Sequence, residues 1–300
     1  MRFRAEISNV HQFSRVITSL APLSKFATLK LTANALHLIC QGERGGVQVW
    51  SQIACNSIFR MDTAFRLESN SANEIYLEVA TDSLARALKS AAGATQTLIR
   101  LLKRGGSGPG GSGKGSHAVL SLTIESLSRQ GKKLEITQDV FVKVKKTEDI
   151  QALREPMCPT PDAALLLPPL QIIRTVAERM KTISPVITLS ANNAGTFRLR
   201  AEADEARVET DWMNLKKPNI GEDEQMTNPI QDPNAMFSVT VETKHLLKFL
   251  NAYTVAGQTI FCLCPGHCAI FYVYVGTAKD NMSGGVLTFF VPAFNADGDD

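Results

Sequence analysis

Three hundred residues, 44% hydrophobic and 20% charged, supply ample apolar surface for a core and set an expectation of about two domains. Thirty-two Lys and Arg against 29 Asp and Glu leave a net charge of only +3, so bulk charge argues for no nucleic-acid role and placement must decide. No run reaches the roughly 18 apolar residues of a membrane span, Met1 leads straight into Arg2-Phe3-Arg4, and cysteines at 40, 55, 158, 262, 264 and 268 are too sparse for a disulfide scaffold, which points to a soluble intracellular chain with reduced thiols.

In chain order, alternation predicts a strand over Arg2–Ile7 and the helical period a helix over Val10–Leu20. Strand patterns follow at Thr28–Ile39, turning at Ala33-Asn34, and at Val47–Ile53. A strand at Glu74–Val79 then runs into a helix at Asp82–Ala92, with Asp82 as N-cap. Leu98–Leu102, Val119–Leu127 and Leu134–Val144 read as further strands. Between the first two lies Arg104–Ser116, a run of Gly and Ser around Pro109 that reads as a flexible loop.

Lys145–Asp162, with Pro156, Pro159 and Pro161, breaks both periods and reads as a linker. The expected division is therefore 1–145, a linker at 146–161, and 162–300. After the linker the pattern repeats. A strand at Ala163–Leu167 precedes a helix at Pro168–Lys181, with Pro168 in its first turn. Strands follow at Ile187–Leu189, Phe197–Ala201 and Ala206–Trp212, with a turn at Asn193-Ala194-Gly195. Phe237–Val241 then feeds a helix at Thr243–Tyr253, and Ile260–Cys264, Ile270–Val275 and Val286–Val291 complete the strands. Strands adjacent in sequence, with a pair of helices per domain, predict an α+β fold in which an antiparallel sheet carries helices on one face.

At 100° per residue each helix is two-sided. Phe13, Val16, Ile17 and Leu20 oppose His11 and Arg15, while Leu84, Ala87, Leu88 and Ala91 oppose Arg86 and Lys89. Leu170, Ile172, Ile173, Val176, Ala177 and Met180 leave Arg174, Arg179 and Lys181 on the polar flanks. Leu246, Phe249, Leu250 and Tyr253 oppose Lys244 and Lys248. The four helices hold eight basic side chains against Asp82 and Glu178, whereas the remainder has 24 basic and 27 acidic. Singly, each charge does no more than solvate a helix; recurring in four helices, they predict a positive helical layer that meets duplex phosphates without reading bases.

Several segments resemble a known family. Met1-Arg-Phe-Arg-Ala-Glu-Ile7, Gly45-Gly-Val-Gln-Val-Trp50 and above all Asn73-Glu-Ile-Tyr-Leu-Glu-Val-Ala-Thr-Asp-Ser-Leu-Ala-Arg-Ala-Leu-Lys-Ser-Ala91 are similar to the Hus-type subunit of the heterotrimeric DNA-damage checkpoint clamp. Leu170–Ile183, His245–Leu250 and Phe289–Phe294 agree, so the resemblance spans essentially the whole chain. It implies a sliding-clamp fold like that of proliferating cell nuclear antigen, with two similar domains, no catalysis and no cofactor. It also implies Rad-nine-type and Rad-one-type partner subunits, an ATP-driven checkpoint clamp loader, duplex DNA bound without sequence preference, no membrane, and a nuclear location. The glycine-rich run at 105–115 departs from the family, either as an insertion particular to this lineage or as an introduced loop.

Clamp subunits join by strand edges, and two alternating segments fit that role: Leu134, Ile136, Val140 and Val142 before the linker, and Ala206, Val208, Thr210 and Trp212 after it. Glu135, Lys143, Arg207 and Glu209 are expected to select unlike partners by repelling wrong ones. Against these readings stand an enzyme and a generic interaction scaffold. Lys114 is followed by Gly115, which excludes a phosphate-binding loop. Asp204 and Glu205, or Glu222 to Glu224, are local acidic runs and not the converging carboxylates of a metal-dependent nuclease. Cys262-Leu-Cys264-Pro-Gly-His267-Cys268 holds four soft ligands in seven residues, yet no second pair is visible in the sequence, and the cysteines read as strand residues flanking a hairpin, with no metal.

Overall fold

The computed structural model describes every residue outside 43–44, 63, 107–114, 129, 152, 219–231, 277–283 and 295–300. The chain divides into two compact units, one of residues 1–40, 50–154 and 283–285, the other of 41–49, 155–282 and 286–300.

The first unit runs β1 (Arg2–Ile7), α1 (Val10–Leu20), β2 (Phe26–Leu31), β3 (Ala35–Cys40), β4 (Gln48–Ala54), α2 (Cys55–Ile58), β5 (Phe59–Arg60), β6 (Arg66–Glu68), β7 (Ile75–Ala80), α3 (Thr81–Ser90), β8 (Gln96–Gly106), β9 (Gly115–Leu127), β10 (Lys133–Val144) and α4 (Thr147–Gln151). Its strands lie in the order β4-β3-β2-β7-β10-β9-β8-β1, with β5 and β6 added to β1. The second unit runs β11 (Ala163–Leu166), α5 (Leu170–Met180), β12 (Val186–Ala191), β13 (Phe197–Ala203), β14 (Ala206–Trp212), β15 (Phe237–Glu242), α6 (Thr243–Leu250), β16 (Ala256–Cys264), β17 (Cys268–Val275) and β18 (Val286–Pro292). These strands lie in the orders β14-β13-β12-β15 and β11-β16-β17-β18. All described pairings are antiparallel. A module of strand, helix and three strands thus occurs twice in each unit, interrupted in the first only by α2, β5 and β6.

Local chemistry accounts for the boundaries. Asn9 caps α1 by accepting from the Gln12 backbone N–H at 3.0 Å, which satisfies one orphan helix-end donor, and its amide is held by donating to the Gln12 side chain at 2.9 Å. Asp82 is not the N-cap of α3. Ala80 holds that place without a side-chain bond, and Asp82 sits in the first turn, where its charge complements the helix dipole. Pro169, one residue past the expected start, precedes α5, and the fourth helix ends at Leu250 in a 3-10 turn over Asn251–Thr254. The expected loop at 104–116 is narrower, since β8 continues to Gly106 and β9 begins at Gly115; positions 107–114 lie outside the described residues. Within the expected linker, Thr147–Gln151 forms one helical turn before the prolines take effect.

Each unit has an aromatic centre. Phe3 and Phe13 stand edge-on to Phe59 at 5.9 and 6.0 Å between ring centroids in the first. In the second, Phe249 of α6 stacks on Phe271 at 3.9 Å and meets Phe289 edge-on at 5.1 Å. The apolar faces of the helices are largely buried as expected, with two exceptions: Ile172 and Tyr253 are exposed. Phe249→Ala is expected to cost about 3–5 kcal/mol, read from denaturant unfolding, because the buried rings of Phe271 and Phe289 lose their common neighbour; a loss below about 1 kcal/mol contradicts this packing.

Candidate nucleic-acid interface, strand edges and thiol cluster

α1 packs beside α3 in the first unit and α5 beside α6 in the second. Because each buries its apolar stripe, the basic residues are left on the outer side. Arg15, Arg86 and Lys89 are exposed, as are Arg179, Lys181 and Lys244, while Arg174 and Lys248 are half-buried. Their environments differ. The Arg174 guanidinium donates to Glu178 at 2.8 Å and to the Asn251 side chain at 2.7 Å, and lies 5.1 Å over the Tyr253 ring. It ties α5 to the turn after α6, and much of its charge is compensated locally. Lys244 pairs with Glu242 at 2.6 Å. Arg86 reaches only the Ser83 hydroxyl, at 3.5 Å. Among the described residues Arg15, Arg86, Lys89, Arg179, Lys181 and Lys248 make no ion pair, so they carry most of the uncompensated positive charge on these faces.

The two segments chosen as strand edges have open sides among the described residues. β14 ends its sheet, bonded only to β13. β10 pairs with β9 along Lys133–Val142, but its other side meets β7 only at Val142–Val144, leaving the stretch from Lys133 to Phe141 unpaired there. Leu134 and Ile136 are about half exposed. Val140 is buried and belongs to the core, so it is removed from the set of edge side chains. Beside this edge lies a groove of about 860 Å³ lined by Phe26, Glu78, His117, Phe141 and Val144 among others; Phe26 and Phe141 are both largely exposed apolar rings.

On β14, Val208 and Ala206 are exposed, Thr210 is half-buried, and Trp212 stacks on Phe197 at 5.5 Å. Arg207 and Glu209, the residues expected to select partners on this edge, pair within the sheet. Arg207 donates to Glu209 at 3.0 Å, and Glu209 also faces Arg198 at 3.8 Å and Arg200 at 3.7 Å, so these charges compensate one another on the sheet face. Arg198 grips Asp211 through two bonds of 2.7 and 2.8 Å, which holds the Asp211 carboxyl below its ordinary range. A depressed carboxyl contributes stability above the unfolded value of about 3.9 and loses it as the pH falls through the lower folded value. Asp211→Asn should therefore cost no more than about 1 kcal/mol near neutrality, with the difference from wild type vanishing in acid-side unfolding curves.

The cysteines hold what sequence spacing missed. The β16–β17 hairpin sets Cys264 opposite Cys268, and the segment entering β11 lays Cys158 against them. Cys158 Sγ lies 3.4 Å from Cys268 Sγ, His267 Nδ1 lies 3.2 Å from the same sulfur, and the Cys264 thiol bonds the Pro159 carbonyl at 3.5 Å. Cys264 faces Cys268 across the hairpin, and that neighbouring thiol lowers the Cys264 pKa and raises that of Cys268. By contrast Asp204 and Glu205 occupy the exposed turn between β13 and β14, and positions 222–224 lie outside the described residues.

Comparison with known proteins follows the geometry. The profile of the family described as Hus1-like protein matches residues 1–295. The chain is 29% identical over 299 residues to checkpoint protein hus1 of Schizosaccharomyces pombe, covering 98% of this chain and 99% of that one. It is 29% identical over 302 residues to checkpoint protein HUS1 of Homo sapiens, covering 98% and 100%. Among solved structures, proliferating cellular nuclear antigen from Entamoeba histolytica superposes with a TM-score of 0.66 at 12% identity, covering 97% of this chain and 99% of that one; the likeness establishes the sliding-clamp fold.

Proposed function

The chain belongs to the Hus1-like protein family, and from that premise we propose that this checkpoint clamp subunit closes a heterotrimeric ring around duplex DNA in the nucleus and holds checkpoint and repair proteins there. The observation that carries the reading is the outward basic side of all four long helices, with six cations that make no ion pair among the described residues. Lys and Arg on smooth helix faces meet phosphates as point charges, so binding is independent of base sequence, and retention is topological. No reaction is assigned to the chain. Rad-nine-type and Rad-one-type subunits supply the neighbours, and an ATP-dependent loader opens the ring.

Each neutralised phosphate contributes about −0.9 to the logarithmic salt slope of binding. Replacing Arg15, Lys89, Arg179 and Lys248 together by Glu is expected to flatten that slope and shorten retention of the assembled ring on closed circular DNA. An intact ring with unaltered slope and retention defeats the DNA reading.

Ring closure uses the open sides of β10 and β14. Unpaired edge N–H and C=O groups gain partners when a neighbouring subunit continues the ladder. Adjacent N–H groups on a strand face opposite sides, so of Glu135→Pro and Ile136→Pro one removes an outward donor, and likewise of Arg207→Pro and Val208→Pro. One member of the first pair should abolish capture of one partner subunit, and one member of the second pair capture of the other, in pull-downs with folded variants. Loss of both partners together, or of neither, rejects the edge assignment.

A further inference from the structure

We propose that Cys158, Cys264, His267 and Cys268 form a structural zinc site that staples the segment entering the second unit to the β16–β17 hairpin. The donor atoms of Cys158, His267 and Cys268 lie within 4.8 Å of one another, and Cys264, opposite Cys268 in the hairpin register, is placed to supply the fourth donor. Three thiols and an imidazole are the donor set of a structural zinc centre. With bonds of about 2.3 Å to sulfur and 2.0–2.1 Å to nitrogen, a tetrahedral site has edges of roughly 3.6–3.8 Å. The observed 3.4 Å between sulfurs and 3.2 Å from nitrogen to sulfur need widen by only a few tenths of an ångström.

The backbone is arranged for this. Cys264 closes β16 and Cys268 opens β17 in cross-strand register. Between them Gly266 takes φ +67° and the His267 N–H donates to the Cys264 carbonyl at 3.1 Å, which places His267 with two residues between it and Cys264, a spacing that paired zinc ligands use. The remote ligand, 110 residues from Cys268, is delivered by an extended segment docked on the same hairpin: the Asp162 N–H donates to the Leu263 carbonyl at 2.9 Å, and the Pro159 carbonyl accepts from Cys264 at 3.5 Å. Cys264 and Cys268 are buried, Cys158 is half-buried and His267 is exposed, so two sulfurs form a dry floor with Cys158 and the imidazole toward solvent. Binding releases the thiol protons and leaves three thiolates on one divalent ion.

A disulfide between Cys158 and Cys268 is the competing use of the same contact. It requires the sulfurs to close to about 2.05 Å, requires an oxidant uncommon in reducing compartments, and leaves Cys264 and His267 without a role.

The experiment is elemental analysis of the full chain, purified without chelator or a histidine tag, with mass spectrometry under non-reducing conditions. Stoichiometric zinc is expected, lost in Cys158→Ser and in His267→Ala and retained in Cys55→Ser, whose thiol lies elsewhere and bonds the Thr32 carbonyl. In case the site variants fold poorly, wild-type protein stripped of metal is titrated with cobalt(II), which should give thiolate-to-cobalt charge-transfer bands and the visible spectrum of a tetrahedral site. Absence of stoichiometric zinc together with failure to bind cobalt overturns the proposal. So does zinc retained by both site variants, or a metal-free Cys158–Cys268 disulfide in the native chain.

Discussion

Eleven residues make three turns, too short a helix to persist in water on its own propensity, so α1 and α5 exist because one face of each is sealed against a sheet. That one-sided burial governs much else in the molecule. A helix of this length with Phe13, Val16, Ile17 and Leu20 inside has only its opposite side on which to carry charge, and the same holds for α3, α5 and α6. Placement of Lys and Arg on the outer faces costs the fold little, since exposed charges away from packing change stability by tenths of a kcal/mol. The folding constraint therefore selects which face is available to phosphate, and the surface charge can be set for binding independently of the core.

Local compensation then sorts those charges. Arg174 and Lys244 are drawn into pairs with Glu178 and Glu242, which lowers the positive potential that a simple count of helix residues implies. The Arg174 side chain gains a structural duty instead, linking α5 to the turn beyond α6. The same sorting on β13 and β14 turns Arg198, Arg200, Arg207 and Glu209 into a mutual network. A network that is already satisfied leaves β14 with open backbone and little uncompensated charge along that face.

Much of this was legible in the sequence, for a physical reason: period-two and period-3.6 patterns survive wherever one face is buried and the other is wet. β1, α1 and β14 match the expected residues from end to end, and the other long elements differ by a few residues at their ends. What escaped is what carries little periodicity. α2 and α4 are single turns, β5 is two residues long, and Asp82 looked like a cap because Asp favours such positions, whereas Thr81 already lies inside the helix. Val140 escaped because alternation assigns a side to each residue without saying where along the strand the core ends. The thiol cluster escaped because its ligands are set by tertiary docking: no local spacing connects Cys158 to a hairpin 110 residues away.

The two open edges close the physical account. Sheets that end in unpaired strands invite association, and soluble proteins blunt such edges with charge, twist or cover. β10 does little of this along its unpaired stretch: Leu134 and Ile136 are exposed, no proline interrupts it, and a groove with aromatic walls runs alongside. β14 is blunted on one face by its ionic network while its backbone edge stays open. The two edges therefore differ in chemistry, one apolar and grooved, the other flat and ion-laced. Each edge thus offers the same unpaired backbone groups with a different side-chain surface, so a strand that fits one edge is not thereby fitted to the other.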